Sequence, residues 1–184
     1  MKFLKLFIIF ICLTPSVKAD SKKNIINELK NGGKLIFIRH AYAPGSGDPS
    51  NFDISDCTSQ RNLSNLGKIQ SKNIGYFFSK NNIPINKVYS SEWCRCKETA
   101  VIAFNGYEVK KSLNSFFGEK FTKNKDSQII NLKKFIKNWD GKQNLVFVTH
   151  YVVISEILNY GTSSGEIVIS NKDLKVIDKF EIEY

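Results

Sequence analysis

The chain has 184 residues, 42% of them hydrophobic and 24% charged, with a formal net charge of +10. That length suits one domain with a core of ordinary size, and the balance of apolar and charged residues excludes a disordered or fibrous chain. The positive charge is mostly Lys scattered among Asn, as in 120–125, and the clustered Arg with interleaved aromatics of a nucleic-acid binder is absent, so no nucleic-acid partner is expected.

In chain order, Lys2 and Lys5 precede an apolar stretch from Leu6 to Leu13, followed by Pro15 and then Val17-Lys18-Ala19. This is the pattern of a secretory signal over residues 1–19, cleaved between Ala19 and Asp20 and leaving one domain over 20–184, exported to a periplasm or secreted. The apolar run falls short of the ~20 residues of a membrane span, so no stable anchor is expected after cleavage; an uncleaved anchor is the competing reading. Bulky Ile11 before Cys12 argues against a lipoprotein site. Removal of the signal takes away Lys2, Lys5 and Lys18 and no acid, so the net charge falls from +10 to +7 and anionic partners are favoured.

Residues 22–31 read as a short helix with Ile25, Ile26 and Leu29 on one side, ended by Gly32-Gly33. A strand over 34–39 follows, then a polar stretch over 41–61 containing Pro44, Gly45, Gly47, Asp48 and Pro49. A loop this long inside a compact domain is usually functional, and because it starts at His40 it reads as a cover for a site. Ser64 is placed to cap a helix reaching Lys80, with Leu66, Ile69, Ile74, Phe77 and Phe78 on its buried side. A short strand over 88–90 leads to Ser91, read as a second cap, and a helix over 93–104. Ile129, Leu132, Ile136 and Trp139 recur at helical spacing over 127–139, ended by Asp140-Gly141. The apolar run from Leu145 to Val148 is a strand leading to His150, with a helix to Asn159 after it. Residues 165–169 and 174–182 form a hairpin about Asn171-Lys172-Asp173. The alternation predicts a three-layer α/β/α sandwich around a mostly parallel sheet.

The chain contains two histidines, and each ends an apolar run: Leu35-Ile36-Phe37-Ile38-Arg39-His40 and Leu145-Val146-Phe147-Val148-Thr149-His150. Such runs suit central strands buried on both faces, and ligands of open α/β sheets collect beyond the carboxyl ends of their strands. Neighbouring strands would bring the two imidazoles together; the plainer alternative makes each a hydrogen-bonded structural histidine. Arg39 adjoins one of them, and Arg95 falls in the first turn of the helix after the next strand, where backbone amides also favour an anion. Guanidinium forks suit phosphate in a way that Lys does not match geometrically. A neutral imidazole is a competent nucleophile near pH 7.

Three cysteines, Cys57, Cys94 and Cys96, remain in the exported chain, an odd set for an oxidising compartment. Cys94 and Cys96 are too close in sequence to pair readily, so the expected bridge joins Cys57 to one of them. Closing that loop is worth about 4 kcal/mol in the chain-entropy model. Three free thiols and a metal site shared with the histidines are the competing readings, but no Cys-x2-Cys or His-x3-His pattern supports metal, and no metal or cofactor is expected.

Four motifs then fall in one order: Arg39-His40 after its strand, Arg61-Asn62-Leu63-Ser64-x-x-Gly67, Ser90-Ser91-x-x-Cys94-Arg95-x-x-x-Thr99-Ala100, and Thr149-His150 before a helix. Together, over about residues 34–169, they resemble the histidine phosphatase superfamily, with its phosphoglycerate mutase-like fold. Asp56-Cys57-x-x-Gln60-Arg61-Asn62-Leu63-Ser64 with Cys94-Arg95-Cys96 further resembles a small, exported, insert-free subgroup. The resemblance implies a metal-independent phosphatase in which His40 attacks phosphorus and carries a phosphohistidine that water hydrolyses. Arg39, Arg95 and His150 would hold the phosphoryl oxygens. The implied substrate is a phosphorylated small molecule, glycan or protein. Arg61 either binds substrate or ties down the long loop; Tyr42 and Trp93 either line the entrance or pack.

The chain departs from the family in its proton donor. Where a Leu-x-Glu acid is often found, it reads Leu113-Asn114-Ser115-Phe116-Phe117, with Glu119 shortly after. Glu119 is a candidate acid, with Asp48, Asp53, Asp56 and Asp126 as others. The alternative function is a phospho-ligand-binding protein of the same fold with little catalysis. A mutase suits the chain less well, because it lacks insertions to shield a transferred phosphoryl group. The long loop carries no readable substrate code, and no leftover apolar stripe marks an oligomeric interface.

Overall fold

The computed structural model describes residues 17–184. The apolar body of the expected signal, together with Cys12, lies outside the described residues. Six strands form one sheet: β1 (Leu35–Arg39), β2 (Lys87–Ser90), β3 (Glu108–Val109), β4 (Leu145–Thr149), β5 (Ile167–Ser170) and β6 (Val176–Phe180), in the spatial order β3-β2-β4-β1-β5-β6. The pairings of β1 with β4, β4 with β2 and β2 with β3 are parallel; β5 and β6 close the sheet antiparallel. The helices are α1 (Val17–Lys30), α2 (Asn65–Lys80), α3 (Cys94–Phe104), the single turn α4 (Glu119–Thr122), α5 (Lys125–Asn138) and α6 (Tyr151–Leu158).

Alternation along the central strands divides the core in two, because successive side chains leave a strand on opposite faces. Ile36, Ile38, Val146, Val148, Ile167 and Ile169 meet α1, α2 and α3 on one side. Leu35, Phe37, Leu145, Phe147 and Val168 meet α5 and α6 on the other. The result is the expected α/β/α sandwich, with β1 and β4 buried along their length. No helix among the described residues is long and apolar enough to cross a membrane.

Three local expectations need correction. In α2, Leu66 and Ile69 are 45% and 44% exposed rather than buried. The inward stripe of the first turns is instead Gly67, Gln70 and Ser71, because this end of the helix packs on backbone: a Cβ on Gly67 would lie 2.1 Å from the Tyr42 carbonyl oxygen. Gln70 meets the polar groups there, accepting from the Tyr42 N–H and donating to the Ser164 and Ile182 carbonyls. Ser91 is not the cap of α3; Trp93 takes that position, and the Ser91 hydroxyl is turned to His150. The span from 105 to 124 also holds unpredicted elements, the edge strand β3, a 3-10 turn over Lys111–Leu113 and α4, all too short to show a period.

Candidate active site

The parallel register sets Arg39 opposite Thr149, so His40 and His150 leave the sheet side by side at its carboxyl edge. The His40 N–H donates to the Thr149 carbonyl at 2.9 Å, and the ring centroids lie 5.5 Å apart. Both imidazoles are buried, beside a cavity of about 380 Å³ that Arg39, Arg61 and Arg95 also line.

His40 Nδ1 lies 2.8 Å from the Ala41 carbonyl oxygen. A carbonyl only accepts, so Nδ1 carries the ring proton and Nε2 keeps its lone pair. Arg95 Nε–H donates to that lone pair at 3.2 Å. Burial, and then the Arg95 and Arg39 charges, hold His40 well below the ordinary histidine value of 6.5, outweighing the Ala41 hydrogen bond that opposes them. Burial and Arg95 do the same to His150. Both rings are therefore neutral at pH 7, as a nucleophile requires. His150 Nε2 lies 2.9 Å from Ser91 Oγ and 3.4 Å from Cys96 Sγ.

Each arginine is positioned separately. Arg39 donates from Nη1 to the Thr162 carbonyl at 2.6 Å, while its buried Nε has no partner among the described residues, a donor that an entering anion would satisfy. Arg95 is anchored through its own turn: Thr99 Oγ1 donates to the Arg95 carbonyl and accepts the Ala41 N–H, tying α3 to the residue after His40. Arg61 donates from Nε to the Gly47 carbonyl at 2.7 Å and from Nη1 to the Ala43 carbonyl, so its fork holds the long loop while still facing the cavity.

The residue whose part the sequence did not show is Asp48. Its carboxylate receives Arg95 Nη1 at 2.7 Å and Nη2 at 3.2 Å, Trp93 Nε1 at 2.9 Å and the Arg61 backbone N–H at 3.1 Å. Burial raises the Asp48 value, but the Arg95 hydrogen bond and charge outweigh it and leave the acid below its ordinary 3.8. It is an anion at neutral pH and so not a proton donor. Three guanidinium charges against this one carboxylate leave two positive charges around His40, the complement of a dianionic phosphoryl group. Its only signal in the sequence was an acid between glycine and proline in the loop that begins at the first histidine.

No family model matches the chain, and no curated protein sequence does. In structure it is similar to the protein histidine phosphatase SixA solved with tungstate, at 13% identity and a TM-score of 0.56, over 80% of this chain and 96% of that one. A phosphoglycerate mutase from Thermus thermophilus matches at 13% identity and 0.58, over 82% and 99%. A putative phosphohistidine phosphatase SixA from Agrobacterium tumefaciens matches at 17% and 0.54, over 80% and 97%. The chain has the phosphoglycerate mutase-like fold.

Within this phosphoglycerate mutase-like domain the structure brings His40, His150, Arg39, Arg61, Arg95 and Glu119 around one cavity. Glu119 stands exposed on α4. The other candidate acids are spent elsewhere: Asp53 accepts from Ser55, Asp56 caps the 3-10 turn over Cys57–Ser59, and Asp126 lies in the first turn of α5. Trp93 is buried against His150 and Phe52. Tyr42 packs on Tyr184, away from the cavity. Cys57 bridges to Cys94, with Cα atoms 5.7 Å apart, and buried Cys96 is the free cysteine among the described residues. No group of three His, Cys, Asp or Glu side chains placed to hold a metal ion occurs among those residues.

Proposed function

We propose that the protein belongs to the histidine phosphatase superfamily and hydrolyses a phosphomonoester or phosphoramidate through a phosphohistidine on His40. The single observation that carries this is the His40 ring: its Nδ1 proton is held by the Ala41 carbonyl and its Nε2 lone pair lies among guanidinium groups. A phosphoryl oxygen takes over the Arg95 Nε–H that His40 Nε2 accepts, which frees the lone pair for in-line attack. Arg39, through its unpartnered Nε, and Arg95 then hold the equatorial oxygens with His150, where charge spreads in the transition state. Water attacks the phosphohistidine in the second step, the N–P bond breaks, and inorganic phosphate leaves. The arginines supply the positive charge, so no metal is invoked. A protein histidine phosphatase of this fold was solved complexed with tungstate, a tetrahedral oxyanion, which agrees with a phosphoryl ligand for this chain.

We further place the protein outside the cytoplasm. The signal read over residues 1–19 and the Cys57–Cys94 bridge support export.

Release of phosphate from an aryl phosphate in the presence of a chelator tests the chemistry. Activity that persists with chelator and is abolished by His40→Ala is expected; loss to the chelator alone, or survival in His40→Ala, refutes it. Occupation of both Arg95 Nη atoms by Asp48 favours a second reading, a phospho-ligand-binding protein of weak catalysis. Vanadate binding without turnover of any phosphoester or phosphoramidate would select it.

A further inference from the structure

Beyond the arginines, the cavity that holds His40 is walled by aromatic rings. Phe117 and Tyr151 meet at its mouth with centroids 5.9 Å apart, and they stay 45% and 38% exposed. Single exposed apolar residues are ordinary on a surface, but two in contact at the rim of an anion site form a patch that a ligand can cover. Tyr151 directly follows His150, and its ring lies over the Arg39 guanidinium at 5.4 Å, which sets the ring relative to the phosphoryl-binding atoms. Phe117 is backed by the long loop: a Cβ on Gly47 would be 3.8 Å from its ring. Phe52 and Phe121 form a further wall, in contact at 5.5 Å and both packed on Trp93. The convergent amides and carboxylates that a sugar would need are missing from this lining; Asp48 is committed to Arg95, and Glu119 and Lys120 stand exposed on α4.

Resting on the phosphatase reading, we propose that Phe117 and Tyr151 form a leaving-group subsite for a substrate whose phosphoryl is bonded directly to an aromatic ring, through a phenolic oxygen or a ring nitrogen. The cavity volume fits a small planar ring beside the phosphoryl group. The chemistry agrees: of the two acids that line the cavity, Asp48 is ion-paired to Arg95 and Glu119 stands exposed with no side-chain hydrogen bond among the described residues to aim it, so the leaving group departs with little proton assistance. Phenols, with values near 10 as for tyrosine, bear this far better than aliphatic alcohols. The His40 Nε2 pair forms the N–P bond while the P–O or P–N bond to the ring breaks, and its electron pair leaves with the ring. Water then adds to phosphorus, the N–P pair returns to His40, and the two water protons are shared between phosphate and the released ring.

Calorimetric binding of phenylphosphonate and methylphosphonate separates ring from anion. The wild-type protein is expected to bind the phenyl compound more tightly, each ring contact contributing about 2- to 12-fold. Phe117→Ala should lower phenylphosphonate affinity by that factor and leave methylphosphonate unchanged, whereas Tyr151→Leu, whose ring also lies over Arg39, should lower phenylphosphonate affinity by more than it lowers methylphosphonate affinity. In kinetics, phenyl phosphate and phosphoimidazole are the two ring-borne arms; leaving-group chemistry alone favours both over glycerol 2-phosphate, so the arm whose kcat/KM advantage shrinks in Phe117→Ala is the one that supports the subsite and says which atom bears the phosphoryl. Phe117→Ala should lower that preference without lowering turnover of glycerol 2-phosphate. Equal binding of the two phosphonates overturns the aromatic subsite while leaving the anion site standing. Failure of both to bind overturns the phosphatase reading with it.

Discussion

Replacing Asp48 with Asn tests the electrostatics of the pocket at its densest point. The Arg95 and Asp48 side chains are 4% and 11% exposed, and both Arg95 Nη atoms end on the carboxylate. Removing one partner of a buried pair costs about 3–5 kcal/mol, mostly because the other charge is left unpaired. The open cavity beside this pair admits water, and Asn can still accept from Trp93 Nε1, so the expected loss falls below that range, about 2–3 kcal/mol. For a domain of this size each kcal/mol moves Tm by about 2–4 °C, so Asp48→Asn should melt about 4–12 °C lower by circular dichroism. The same change vacates the Arg95 fork. A charged hydrogen-bond pair is worth about 1.5–3 kcal/mol, so phosphate or vanadate should bind the variant about 10- to 100-fold more tightly despite its lower stability. Wild-type stability with unchanged phosphate affinity would refute the reasoning. Weaker phosphate binding would show instead that Asp48 orients Arg95 for its ligand.

Stability should fall with acid in a window set by the histidines: both are held well below 6.5 in the folded state, so below that pH the unfolded chain binds protons that the folded one does not. Urea melts should show stability falling as the pH drops from 7 through 6 toward 5, and the double variant His40→Asn, His150→Asn should flatten that fall. Gly67→Ala places a Cβ 2.1 Å from the Tyr42 carbonyl oxygen, two residues past His40. Because the obstacle is backbone, a loss of about 1–3 kcal/mol is expected, with a fall in kcat that an Ala at Gly106, where a Cβ meets nothing within 4 Å, does not cause. Cys94→Ser opens the loop closed by the bridge to Cys57, 37 positions away, and should cost about 4 kcal/mol in denaturant under oxidising conditions.

The strands that carry the site were legible because β1 and β4 are buried on both faces and leave unbroken apolar runs, each leading directly into one of the two histidines beside the cavity. The α5 face was legible for a related reason: Ile129, Leu132 and Ile136 pack on one apolar layer with no backbone neighbour intervening. The start of α2 misled because what it packs against is the chain after His40, which selects Gly67, Gln70 and Ser71 over Leu66 and Ile69. The choice between Cys94 and Cys96 as partner of Cys57 needed the turn of α3, which points Cys96 at His150. Asp48 was legible only as one acid among several, since its role comes from contacts with Trp93, Arg95 and Arg61, brought in from other parts of the chain.

The central claim, that His40 Nε2 is the nucleophile, is met most directly by trapping the phosphoenzyme. Protein quenched in base after brief exposure to 32P-labelled aryl phosphate should carry acid-labile, base-stable label that peptide mapping places on His40 and that His40→Ala lacks. Label on Cys96, on a serine, or on His150 in place of His40 would contradict the account.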